Sequence, residues 1–152
     1  MNGRSLRTAA LTYGGIALLS LAAAAQAADG DRNKLMGVWE TGDGRNVKWV
    51  LEPTGQSLHV TYAQAGQKLA DFECDTTGRE CTTKESGRAA KVSLYFNGAI
   101  LVELETKGPD IVKRRFTLSG SGEEMDVELI PVSSKAKAET IHFKRAATPP
   151  SN

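Results

Sequence analysis

From Met36 onward, apolar and polar residues alternate with a period of two, in short runs separated by Gly-containing turns. Side chains along a strand point to opposite faces in turn, so a strand that buries one face and wets the other leaves this trace. Within 45–52, Val47, Trp49 and Leu51 share a face, with Asn46, Lys48 and Glu52 opposite and Val50 as an exception. Leu58, Val60 and Tyr62 do the same within 56–64, and Ala70, Phe72 and Cys74 within 68–74. Further runs cover 36–41, 91–96 (Val92, Leu94, Phe96), 99–106, 110–118, 124–132 (Met125, Val127, Leu129) and 139–145 (Ile141, Phe143). Residues 82–88 are polar and read equally as a short strand or a loop. The breaks carry turn chemistry at 42–44, 53–55, 65–66, 97–98, 107–109 and 119–122. Asn97-Gly98, between two apolar runs, is expected to form a type I′ hairpin turn, since both residues tolerate positive φ.

Roughly eight to ten short strands joined by tight turns predict an all-β, antiparallel up-and-down meander. Such a chain buries one apolar face per strand, in a sandwich or a closed barrel. Closure into a small barrel is favoured because it leaves no unpaired edge. An outer-membrane barrel would need outward apolar runs of about ten residues and aromatic girdles. Charged alternates and an aromatic content of 6% do not supply them, so no stable membrane insertion is expected.

The first segment follows another pattern. Arg4 and Arg7 precede an apolar run from Ala9 to Ala25, which ends in Ala25-Gln26-Ala27. A charged start, a short apolar run and a small-residue exit make a secretory signal peptide over 1–27, giving a periplasmic or secreted protein. The run is interrupted by Thr12, Gly14, Gly15 and Ser20, whereas a membrane span needs about 20 mostly apolar residues. Residues 28–35 then form a polar N-terminal segment, 36–145 the barrel domain, and 146–152, with Pro149-Pro150, a tail expected to be disordered. Loss of Arg4 and Arg7 takes the 19 basic residues to 17, against 18 acidic. That near-neutral surface gives no expectation of a nucleic-acid partner. In an oxidising compartment the two cysteines, Cys74 and Cys81, read as a disulfide across the polar segment 75–80.

No nucleophile with an adjacent base, convergent carboxylates or metal cluster stands out, so an enzyme is not expected, nor a cofactor. His59 and His142 sit at outward positions of their strands and read as solvated. Asp71 and Glu73 share a face, but calcium loops show a tighter acidic spacing with a fixed Gly. Arg114 breaks the pattern. It shares the inward face of 110–118 with Val112, Phe116 and Leu118, and a buried charge needs a partner. That partner is either the anionic head of a bound ligand or an internal carboxylate such as Glu103 or Glu105.

Gly37-Val38-Trp39 opens the first strand and Arg145 closes the last. This resembles the lipocalin-like arrangement, in which a Gly-x-Trp packs under a basic residue from the final strand. Phe72-x-Cys74-Asp75, Glu80-Cys81, Phe96-Asn97-Gly98 and Val112-Lys113-Arg114-Arg115-Phe116 extend the similarity to small exported bacterial lipocalin-like proteins, over about 35–145. The resemblance implies a barrel closed at one end by Gly37, Trp39 and Arg145. Strands and loops here are shorter than in typical lipocalins, which argues against a large cavity.

The expected function is therefore that of an exported binding protein holding a small apolar or anionic amphipathic molecule. Trp49, Tyr62, Phe72, Phe96 and Phe116 are candidate walls, and Arg114 is the candidate head-group contact. Two alternatives are a protein-binding module, such as a protease inhibitor that projects residues 28–35 into a cleft, and a barrel filled by its own side chains.

Overall fold

The structure, a computed structural model, describes residues 30–147. The expected signal peptide and residues 148–152 of the expected tail lie outside the described residues. Ten strands follow one another: β1 (Gly37–Glu40), β2 (Val47–Thr54), β3 (Ser57–Gln64), β4 (Gln67–Asp75), β5 (Thr77–Glu85), β6 (Arg88–Asn97), β7 (Ile100–Lys107), β8 (Asp110–Leu118), β9 (Glu124–Pro131) and β10 (Glu139–Arg145). Each pairs antiparallel with the next, and β1 also pairs with β10, closing the barrel. This is the meander that the period-two pattern predicts. The ambiguous segment 82–88 comprises the end of β5, its turn and the first residue of β6. It has no apolar alternation because its inward positions carry Thr83 and Glu85.

The hairpin at 97–100 departs from expectation. Asn97 pairs with Ile100, so the two-residue loop is Gly98-Ala99 and only Gly98 has positive φ, at 63°. Glycine at the first loop position is the type II′ requirement, and Asn97 stays in the strand.

One half of the barrel is solid. Residues 30–35 form a short helical turn over the end bounded by the β2–β3, β4–β5, β6–β7 and β8–β9 turns. Arg32 lies over the Phe96 ring at 4.9 Å and donates to Gly98 O at 2.9 Å. Leu35 enters the core, where it is fully buried with Trp39, Leu51, Leu94, Leu101, Phe116, Met125 and Phe143. Burying a side chain of this size contributes about 1.5–3 kcal/mol. The projecting-arm arrangement expected of an inhibitor is thus corrected: Leu35 is apolar enough to fold its segment back as a cap.

Arg145 ties this end together. Its guanidinium lies 4.2 Å over the Trp39 ring. Nη1 donates to Met36 O at 2.9 Å, and Nη2 to Lys34 O at 2.5 Å and Gly122 O at 3.0 Å. Trp39 Nε1 in turn donates to Leu35 O at 2.9 Å. Gly37 makes the approach possible. A Cβ there would stand 2.7 Å from Arg145 Nη1, and its φ of +131° disfavours any other residue. Ala146, assigned by the sequence to the tail, donates to Val38 O at 2.8 Å and extends the β1–β10 contact.

The β4–β5 boundary has the sparsest ladder in the wall. Its ladder holds a single register pair, Ala70 with Glu85, while neighbouring hairpins hold many. The Cys74–Cys81 disulfide crosses this boundary with a Cα–Cα distance of 5.8 Å. Only Thr76 separates the two strands, so the bridge staples a hairpin rather than a loop. With a sequence separation of 7, the chain-entropy account gives it roughly 2–3 kcal/mol. A cleft of about 510 Å³, lined by Phe72, Glu73, Thr83 and Lys84 among others, lies along the same boundary.

The seal at Arg145 has a measurable consequence. Arg145→Ala removes a cation–π contact and leaves the Lys34, Met36 and Gly122 carbonyls without their donor. A loss of about 2–3 kcal/mol is expected in urea unfolding, with Arg145→Lys falling between the two. A loss below about 0.5 kcal/mol would contradict this role.

Candidate functional site

The opposite half of the barrel is different in kind. It is bounded by the β1–β2, β3–β4, β5–β6, β7–β8 and β9–β10 turns, and the described helical turn does not cover it. Inward-facing Tyr62, Lys107, Val112, Leu129 and Ile141 are only partly buried here. One wall, from β5 to β8, carries charge: Glu85, Glu103, Glu105, Lys107 and Arg114 all face inward. The other wall is apolar and aromatic, with Trp49, Tyr62 and Ala70 in register from β2 to β4.

Strand register places the charges in contact. Glu103 pairs directly with Arg114, and Glu105 lies one inward position along. Arg114 Nη1 donates to Glu103 Oε1 and, at 3.1 Å, to Glu105 Oε2. Its Nη2 is 4.0 Å from Glu85 Oε1. Lys107 Nζ bonds Glu85 Oε2 and stands 4.0 Å from Glu105 Oε1. Of the two partners considered for Arg114, the structure therefore shows the internal carboxylates, and an anionic head group finds its guanidinium already engaged. Burial works against the Arg114 charge, but Glu103 and Glu105 outweigh it and its pKa lies above the ordinary value. Burial also pushes the Glu103 carboxyl up, against the pull of Arg114. Glu103 is 1% exposed, and its Oε2 has no hydrogen-bond partner; nor does Thr83 Oγ1.

The aromatic candidates divide. Trp49 stacks on Tyr62, with ring centroids 4.6 Å apart, and meets Phe116 edge-on at 5.2 Å. Arg114 stands 5.8 Å from the Trp49 ring, so these four residues form one group. Burial raises the Tyr62 pKa, and Arg114 lowers it less. Phe72 lies apart, at the β4–β5 boundary. Phe96 is a correction: it sits at the closed end beneath Arg32, away from the charged wall. Gly37, Trp39 and Arg145 form the seal. Sequence reasoning missed Glu85, Lys107 and Thr83. Lys107 shares its strand parity with Leu101, which was a usable signal, while 82–88 offered no apolar residue from which to assign a face.

Outside the barrel, His59 bonds Asp71 at 2.6 Å and Glu52 at 3.2 Å, and the Asp71 bond is the main reason its pKa is raised above 6.5. His142 contacts Asp126 at 2.6 Å. Both histidines occupy outward strand positions, where such exposed contacts with carboxylates contribute little to stability.

Removing one member of the buried network exposes its dependence on balance. Arg114→Met leaves three carboxyls facing Lys107. A loss of about 3–5 kcal/mol is expected at neutral pH. The freed carboxyls then have raised pKa values in the folded state. The deficit should accordingly be smallest below the unfolded carboxyl range and grow as pH rises from about 4 to 7. Urea unfolding across that range checks it, and a small, pH-independent loss would contradict it.

No family model matches this sequence, and no curated protein matches it. Solved structures do share its shape. It is similar to a secretory abundant heat soluble protein from Ramazzottius varieornatus, with a TM-score of 0.64 and 13% identity over 74% of this chain and 96% of that one. It is similar to a Schistosoma mansoni fatty acid binding protein in complex with arachidonic acid, with a TM-score of 0.64 and 14% identity over 78% and 100%. Apo lipid binding protein 8 of Caenorhabditis elegans gives a TM-score of 0.59 and 9% identity over 75% and 96%. At these identities the likeness is one of fold: the chain is a closed antiparallel ten-strand barrel, the shape it shares with these proteins.

Proposed function

We propose that the protein is an exported binding protein that holds a small apolar or amphipathic molecule in the open half of its barrel. One observation carries the reading. The inward side chains Tyr62, Val112, Leu129 and Ile141 keep contact with solvent beside a buried polar cluster, whereas the other half of the barrel is solid. An apolar wall with a few convergent polar groups is the usual composition of a small-molecule site. Similar barrels described as fatty-acid- and lipid-binding proteins support the reading at the level of fold. The charged start, apolar run and small-residue exit over 1–27 support export, and the Cys74–Cys81 bridge agrees with an oxidising compartment. A filled barrel without a ligand is the second reading, favoured by the complete burial of Trp39, Leu94, Phe116 and Phe143.

Native mass spectrometry of protein purified from the exported fraction of its own cells tests both parts. The expected result is a chain beginning at Ala28 that carries an excess mass, lost on denaturation. A chain retaining residues 1–27 would overturn export, and a clean unliganded mass would overturn binding in favour of the filled barrel.

A further inference from the structure

The charged wall also selects among ligands. We propose, resting on the binding reading above, that the open half prefers a ligand with a protonated amine head over one with a carboxylate, and that Glu103 is the deep acceptor for that amine.

Three observations lead there. First, among the described residues three carboxyl groups, Glu85, Glu103 and Glu105, share two cations, Arg114 and Lys107, so the cluster is net negative whenever Glu103 is ionised. A like charge brought into a poorly solvated site is repelled far more strongly than in water. A ligand carboxylate would be a fourth acid beside two cations. Second, both cations are engaged. Arg114 Nη1 holds Glu103 and Glu105, and Lys107 holds Glu85. An incoming carboxylate would have to displace a glutamate already in place, leaving that buried acid without its counter-ion. Third, Glu103 Oε2 is a buried oxygen one hydrogen bond short. Ionised, as an ammonium beside it would hold it, this oxygen is an acceptor without a donor. Leaving such a group buried and unpaired is costly, so a donor that reaches it is favoured. An ammonium donates the missing bond and supplies the missing positive charge together. Trp49 and Tyr62 on the facing wall accommodate the apolar remainder, with the amine innermost and the chain toward the open rim.

The test uses three matched molecules, dodecylammonium, dodecanol and dodecanoate, titrated below their micellar concentrations into delipidated protein at pH 7. Affinity is read by calorimetry. Dodecylammonium is expected to bind at least about tenfold more tightly than dodecanoate, with dodecanol between them. Dodecanoate binding as tightly as the amine would overturn the head-group inference and leave the binding reading standing. Failure of all three to bind would overturn both. In Glu103→Gln, with folding confirmed by circular dichroism, the advantage of the amine over dodecanol should shrink to within about threefold. An undiminished advantage in that folded variant would remove Glu103 from the role. Should the variant not fold, the comparison of the three molecules on the unaltered protein decides the proposal.

Discussion

The guanidinium of Arg145 is the contact on which the arrangement of this barrel depends. It belongs to the last strand, lies on the indole of the first, and donates to carbonyls of the capping segment and of the β8–β9 turn. Barrel closure brings together residues more than a hundred positions apart in sequence, and loop closure over that distance costs entropy that local contacts do not offset. A planar donor with several N–H groups fits this junction because it stacks and bonds at once, which a lysine ammonium cannot do. Gly37 leaves the space for it, and Leu35 and Trp39 complete the plug beneath.

With one end sealed, the two halves of the interior take different roles. The closed half buries Leu35, Leu51, Leu94, Leu101 and Phe143 completely. The open half can therefore carry a group of buried charges that would otherwise be costly to the fold. Arg114, Lys107 and three glutamates occupy one wall, and aromatic side chains occupy the wall across from it. The sparsely paired β4–β5 boundary, stapled by Cys74–Cys81, borders this polar half. There the inward positions Thr83 and Glu85 replace the apolar residues that elsewhere hold strands against a common core.

Strand alternation was legible because most strands bury one apolar face: Val47-Trp49-Leu51 and Leu58-Val60-Tyr62 announce their orientation. Arg145 and Trp39 could be paired from the resemblance of the strand ends. The inward position of Arg114 followed from its parity with Val112 and Phe116, and its carboxylate partners were among the alternatives the sequence offered. The choice between those partners and a ligand was not legible, because it depends on side-chain geometry between neighbouring strands. β5 was obscure for the same reason that it matters: a strand whose inward face is polar looks like a loop. The Gly98-Ala99 turn was displaced by one residue from the Asn-Gly signal, since the β6–β7 register is set by the alignment of Leu94, Phe96 and Leu101 in the core and the turn follows it.

The proposal that the half with partly exposed inward side chains takes up the ligand is tested most directly by methyl NMR during titration with a dodecyl ligand. The expected result is movement of the Val112, Leu129 and Ile141 signals, with Leu35, Leu51 and Leu101 unchanged. Movement confined to the outward-facing Leu104, Ile130 and Val132, or spread evenly through the closed half, would contradict it.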